Sequence, residues 1–258
     1  MPAAPRARRS SGVHFLATPR IAAQLVQSCP LSRTDLVVEF GAGQGAITTH
    51  LVETGARVLA IERDQKFADV LRSRFACREN LRVVQTDIRD FVLPARQFSV
   101  VASIPYALST LLFRRLLDPQ RTKLRRAALI VEWGFAKRVT AAVPRDAGQA
   151  WWTARFDIRF VRRIPAACFS PPPQVDSALV VLERRRTRGE RALWTLLDNA
   201  YRSPSARAGK LAPGNLRAVG IDPRVPAGTV TPQQWSALAE QLAANDRWHW
   251  PPLPRRFR

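Results

Sequence analysis

Residues 36–45, LVVEFGAGQG, place the tightest limit on what this chain can fold into. A short apolar run breaks there into a glycine-rich loop, and helix-forming residues follow. Val37, Val38 and Phe40 are expected in a strand buried on both faces, while Gly41, Gly43 and Gly45 let the backbone turn tightly against a bound molecule. With Ala46 the same letters satisfy the dinucleotide fingerprint G-x-G-x-x-A, so a nicotinamide enzyme stands beside a methyl-donor site at this point. A strand-to-helix turn that holds no ligand is the third reading.

The flanking sequence builds a sheet around that loop. Residues 47–53 read as helix, Gly55 as a stop and residues 56–62 as a second buried strand, which makes a βαβ unit. Further strands are expected at 81–85, 100–102 and 127–133, with helices at 66–75, 109–117 and 134–143. After a loop at 144–148, residues 156–164 and 178–182 alternate as two more strands, joined by a turn carrying Ser170, Pro171, Pro172 and Pro173. The fold class is therefore α/β, with a mostly parallel sheet of seven strands. Residues 183–188 are nearly all charged and read as a hinge to a small all-helical domain, with helices at 191–201 and 233–244. The expected organisation is a disordered basic arm at 1–12, the main domain at 13–183, a helical appendage at 184–245 and a basic tail at 246–258.

Charge narrows the partner. Against 20 Asp and Glu stand 41 Lys and Arg, a formal net charge of +21. Such a field draws polyanions, so nucleic acid is the favoured partner and an anionic membrane the second choice. Arg114, Arg115, Arg121, Lys123, Arg125 and Arg126 are candidate phosphate contacts. Cys29, Cys77 and Cys168 are odd in number and far apart, and His14, His50 and His249 are equally scattered, so neither a disulfide framework nor a metal site is expected. No secretory leader is read after the basic start, and no run approaches the roughly 20 apolar residues of a membrane helix. A soluble, cytoplasmic monomer is expected.

Three positions at strand ends carry the chemistry. Glu62, about 20 residues past the glycine loop, suits the hydroxyl groups of a ribose; a solvated strand end is the alternative. Asp87 could receive an adenine amino group while Ile88 covers the ring; a helix cap is the alternative. Ser103, Ile104, Pro105 and Tyr106 fit the (Asp/Asn/Ser)-x-Pro-(Tyr/Phe) motif of methyltransferases that act on exocyclic base amines. Such an amine is planar, its lone pair delocalised into the ring, and needs acceptors that free the lone pair toward a methyl group. The Ser103 hydroxyl and the Ile104 carbonyl can accept, Pro105 fixes the loop, and Tyr106 can stack on an extruded base. Trp151 and Trp152 are read as sheet-edge core, with a stacking platform as the alternative.

In order along the chain, His14-Phe15-Leu16, the stretch from Glu39 to Gly45, Glu62, Asp87, the SIPY tetrapeptide and the run FSPPPQVDS from Phe169 resemble the ribosomal RNA adenine dimethylase family. That family includes the Erm enzymes of macrolide resistance and the small-subunit dimethyladenosine transferases. The resemblance implies a Rossmann-like class I methyltransferase sheet and S-adenosylmethionine held by His14, Leu16, Gly41, Glu62, Asp87 and Ser103, beside Gly43 of the loop. It implies that Tyr106 and Phe169 sandwich the target adenine. The family usually has Asn where Ser103 stands, and Gln-Asn where Val13 and His14 stand. The arginine content, the short length and the SIPY form look more like the Erm branch, which implies a large-subunit target and antibiotic resistance. A small-subunit enzyme, a non-catalytic RNA-binding paralogue and a nicotinamide dehydrogenase are the competitors; the last leaves SIPY and the charge unexplained.

Overall fold

The computed structural model describes residues 14–245 and 248–257, so the basic arm expected at 1–12 lies outside the described residues. The chain opens with β1 (Phe15–Leu16), too short to be read from sequence, and α1 (Pro19–Gln27), which starts at a proline and buries Ile21, Ala22, Leu25 and Val26. Then come β2 (Leu36–Phe40), α2 (Thr48–Glu53), β3 (Arg57–Glu62), α3 (Gln65–Arg74), β4 (Leu81–Gln85) and β5 (Phe98–Ser103). Every residue of β2 is buried, as an apolar run at the centre of a parallel sheet must be. Next are α4 (Ser109–Leu117), β6 (Leu124–Glu132), α5 (Trp133–Val139), α6 (Ala147–Arg155) and β7 (Phe156–Ile164). The chain ends with β8 (Phe169–Ser170), β9 (Ser177–Arg184), α7 (Glu190–Arg202), α8 (Ala208–Leu211) and α9 (Pro232–Ala243).

Seven strands form one sheet in the order β4-β3-β2-β5-β6-β9-β7, parallel except for β9, which runs against both its neighbours. β2 pairs with β3 on one side and β5 on the other, so the strand order reverses beside it. Loops leaving such a switch point diverge and open a crevice at the carboxyl ends of the strands. β1 and β8 form a separate two-stranded ladder.

Apolar side chains fill both faces of the sheet. On one, Ile21 and Leu25 pack with Val37, Leu51, Val101 and Ile130. On the other, Phe113, Leu129 and Val180 belong to a cluster that continues through Trp151 into Leu193, Trp235 and Leu238 of the C-terminal helices. Trp151 and Trp152 lie on α6, not on a strand, and both are buried. Their indole N–H groups donate to the Asp118 carbonyl (3.1 Å) and to Asp118 Oδ1 (2.6 Å), which removes the stacking-platform reading. Beside them Arg155 is almost fully buried, its guanidinium donating to the carbonyls of Leu117 (2.7 Å), Pro119 (3.0 Å) and Gln120 (2.8 Å). Burial draws its pKa down to about 10.

Within the basic tail expected at 246–258, the described residues 248–257 reach back onto the body of the protein. Leu253 and Phe257 are buried, and the Phe257 ring centroid lies 4.9 Å from that of Trp151 and 4.5 Å from that of Trp194. The Gln120 N–H donates to the Phe257 carbonyl at 2.7 Å. Proline ends a helix but leaves the neighbouring apolar side chains free to fill a gap. Phe257→Ala is expected to lower the unfolding free energy by about 3 kcal/mol, as removal of a buried aromatic ring does. Urea titration reads this directly, and an unchanged midpoint would contradict the packing.

Glu39 sits inside β2 with 1% of its surface exposed. Thr48 Oγ1–H donates to its Oε2 at 2.6 Å, tying the first turn of α2 to the strand, while Oε1 has no partner among the described residues. Desolvation raises its pKa from 4.5 to about 8. The folded state therefore holds a proton that the unfolded state releases, and stability falls as pH rises through that window. Glu39→Gln removes the slope, so the variant should gain on the wild type between pH 5 and pH 8.5. Melting temperatures across that range, with a constant difference as the contrary outcome, decide it.

Candidate active site

The crevice beside β2 holds a cavity of about 480 Å³, lined by all twelve residues expected to hold the cofactor and the base, though not by Gly45. Its size suits a nucleoside-sized ligand. At its floor Gly41 has φ +69° and is exposed, and a Cβ added there would meet only the Ser103 carbonyl, at 3.9 Å. A ligand can thus lie against bare backbone. Gly43, with φ +53°, has no such room, since a Cβ would stand 3.0 Å from the Phe15 ring. Phe15 packs edge-on against Phe67 at 5.2 Å and closes the loop from above; both line the cavity and neither was read as a site residue.

Glu62 ends β3 and is nearly buried. Its Oε2 accepts the Gly43 N–H and its Oε1 the Asp64 N–H, each at 2.8 Å. Every carboxylate oxygen has two acceptor positions, so one on each remains for a pair of ribose hydroxyl groups. Asp87, past β4, accepts the Arg89 N–H at 2.8 Å and faces Arg63 at 3.7 Å. Ile88 beside it is buried. A bare glycine floor, two carboxylates and an apolar cover lie together in the cavity and fit an adenosine-bearing cofactor.

The opposite wall comes from β5 and the β1–β8 ladder. The Ile104 N–H donates to the Ile130 carbonyl at 3.1 Å, which keeps the chain tied to β6 as it leaves Ser103. Pro105 (φ −53°) turns the chain into the short 3-10 turn that starts at Tyr106. The Tyr106 hydroxyl is hydrogen-bonded to Ser177 Oγ at 2.7 Å, and burial raises its pKa, so the phenol stays neutral. Ser177, at the start of β9, holds that ring in place; the sequence carried it only as the last letter of FSPPPQVDS and gave it no role. Leu16 pairs with Phe169 and Phe15 with Ser170, so the two ends of the main domain meet at the cavity. His14 Nδ1–H donates to the Pro171 carbonyl at 2.9 Å, which fixes the tautomer, and its ring lies 6.1 Å from that of Tyr106.

The candidate phosphate contacts are largely elsewhere. Arg115 is half-buried, and its guanidinium donates to the carbonyls of Ile88 and Phe91; burial lowers its pKa. It holds the loop that carries Ile88. Arg125 pairs with Asp35 and Arg126 with Glu183. Arg121, Lys123, Arg125 and Arg126 flank or begin β6, which runs parallel to β5, so they lie at the end of the sheet opposite the crevice. Arg114 is exposed in the last turn of α4.

Residues 4–202 match the sequence pattern of the family described as ribosomal RNA adenine dimethylase. The chain is 31% identical to a protein named rRNA adenine N-6-methyltransferase from Bacillus licheniformis, over 95% of this chain and 91% of that one. It is also 31% identical to the ribosomal RNA small subunit methyltransferase A of Phenylobacterium zucineum, over 94% and 88%. The crystal structure of the 23S rRNA methyltransferase ErmE superposes with a TM-score of 0.75 at 22% identity, over 88% of this chain and 99% of that one, a likeness of fold.

Gly43→Ala should weaken binding of S-adenosylmethionine by about tenfold or more, because the loop must leave its positive φ or displace Phe15. Calorimetry measures it. Affinity equal to the wild type would mean that the ligand does not use this loop.

Proposed function

The chain belongs to the ribosomal RNA adenine dimethylase family, and from that premise we propose that it methylates the exocyclic amine of an adenine in large-subunit ribosomal RNA. It is an S-adenosylmethionine-dependent rRNA adenine N6-methyltransferase. The observation that carries the reading is one cavity in which Glu62 and Asp87 stand at one end and Ser103 to Tyr106 with Phe169 at the other. A nicotinamide enzyme would leave the second set without a task.

When bound, S-adenosylmethionine supplies a methyl group on a positively charged sulfur that departs as a neutral thioether, so no strong base is called for. Glu62 holds the ribose and Asp87 the adenine amine of the cofactor. The Ser103 hydroxyl and Ile104 carbonyl accept hydrogen bonds from the N–H groups of the target amine and leave its lone pair free, and the proton displaced by the methyl group passes to solvent. Tyr106 and Phe169 stack on the two faces of an everted base. His14 and Leu16 border the cofactor side, and the net charge of +21 supplies attraction to RNA phosphates that weakens with salt.

The large subunit as target, with resistance to macrolide, lincosamide and streptogramin B antibiotics, is the finer part of the proposal. The likeness to the Erm branch in SIPY and in arginine content supports it. A small-subunit target is the second reading, favoured by the name of the Phenylobacterium relative. We place the enzyme in the cytoplasm as a monomer; no helix among the described residues is long and apolar enough to cross a membrane.

Incubation with methyl-labelled donor and undermethylated ribosomal RNA of each size, followed by mapping of the labelled nucleotide, tests the whole reading. Label on a large-subunit adenine is expected; label on the small subunit alone would select the second reading, and none on either would end both. Tyr106→Ala should lower methyl transfer at least about tenfold while donor affinity changes little, since stacking is lost on the RNA side alone. Tyr106→Phe, which keeps the ring and loses only the Ser177 hydrogen bond, should retain most activity. Equal loss of donor binding and transfer in Tyr106→Ala would reject the role given to the ring.

A further inference from the structure

β7 is an edge strand, and its bulge creates a feature that the proposed reaction does not yet use. Phe160 stands opposite Val180 and Arg163 opposite Ala178, with the register shifting between Phe160 and Arg162. Val180 and Ala178 are two apart and share a face of the sheet, so the extra residue brings Phe160 and Arg163 to that face together. There they meet Trp133, the first residue of α5. The Phe160 ring lies 5.2 Å from the Trp133 ring, while Lys137 Nζ and Arg163 Cζ lie 5.6 Å and 5.4 Å from it. Phe160 is nevertheless 44% exposed, and Val161 beside it 40%.

The patch is joined to the proposed base site by a short covalent and hydrogen-bonded path. The Trp133 N–H donates to the Asp176 carbonyl at 2.9 Å, and Arg163 Nε to Asp176 Oδ2 at 2.7 Å. The next residue, Ser177, holds the Tyr106 hydroxyl. An open aromatic face backed by indole, with an ammonium and a guanidinium beside it, suits one chemical unit best: a nucleobase with its phosphate.

Resting on the methyltransferase reading, we infer that Phe160, supported by Trp133 and flanked by Lys137 and Arg163, stacks on a nucleobase that flanks the target adenine in the same RNA strand. An apolar partner protein would not call for cations around the ring, and a phosphate alone would not call for the ring. The platform sets the register of the strand as Tyr106 and Phe169 take the everted base. It thereby contributes to the choice of adenine.

Two readouts test this. The first is the affinity of the full chain for a labelled single-stranded RNA of about twelve nucleotides, by fluorescence anisotropy. The second is KM and kcat for undermethylated ribosomal RNA. Phe160→Ala should weaken oligonucleotide binding and raise the RNA KM by about tenfold each, with kcat, donor affinity and melting temperature near wild type, while Phe160→Tyr restores both to within about twofold. An abasic site at one flanking position should cost the wild type the same factor and cost Phe160→Ala nothing further. Unchanged RNA affinity in Phe160→Ala, an abasic penalty that adds to the substitution at every position, or a change in sedimentation in place of RNA affinity would each overturn the inference. A wild type that binds the oligonucleotide in this pattern but transfers no methyl group would remove the functional reading and leave the platform standing.

Discussion

The Glu62 carboxylate, shared between the N–H groups of Gly43 and Asp64, is the interaction on which the active end of the molecule depends. It fastens the loop after β2 to the loop after β3, two segments that the sheet itself releases at that point. Charged hydrogen bonds of this kind contribute about 1.5–3 kcal/mol each when shielded from water. They are also oriented, because both donors approach in fixed directions and leave the outer lone pairs facing the cavity. The same side chain thus shapes the glycine loop and presents an acceptor to whatever lies on it.

Behind this end the molecule is braced by aromatic packing. Arg155 gathers the carbonyls that follow α4, Trp151 and Trp194 enclose Phe257, and the apolar cluster passes from the sheet into the C-terminal helices. Cation–π contact between Arg155 and Trp151, 4.4 Å from charge to ring centroid, adds to the seal. The helices are therefore fixed against the sheet body by shared core and not only by the charged link at 183–188.

Sequence reading succeeded where a local rule and the global fold agree. The loop of Gly41, Gly43 and Gly45, the acid at Glu62 and the tetrapeptide from Ser103 each lie at the carboxyl end of a buried strand, where spacing alone locates them. Failure came from contacts formed across long stretches of chain. β1 and β8 are two residues each and exist because they meet one another, so no periodicity announces them. The helix α6 was missed because Ala147 to Arg155 is buried on most sides and lacks a clean polar face. The cations at 121–126 were counted among the candidate phosphate contacts, and strand direction carries them to the end of the sheet away from the crevice. Ser177 and Phe160 had no role legible in the sequence for a related reason: one acts through the hydroxyl of Tyr106, the other through a bulge.

The small ladder of Phe15–Leu16 with Phe169–Ser170 has a mechanical meaning. Leu16 borders the region assigned to the donor, and Phe169, its partner across the ladder, the region proposed for the acceptor base; both line the cavity. The two ends of the one cavity share a wall. A partition made of two paired strands ties the position of Leu16 to that of Phe169 through the backbone itself.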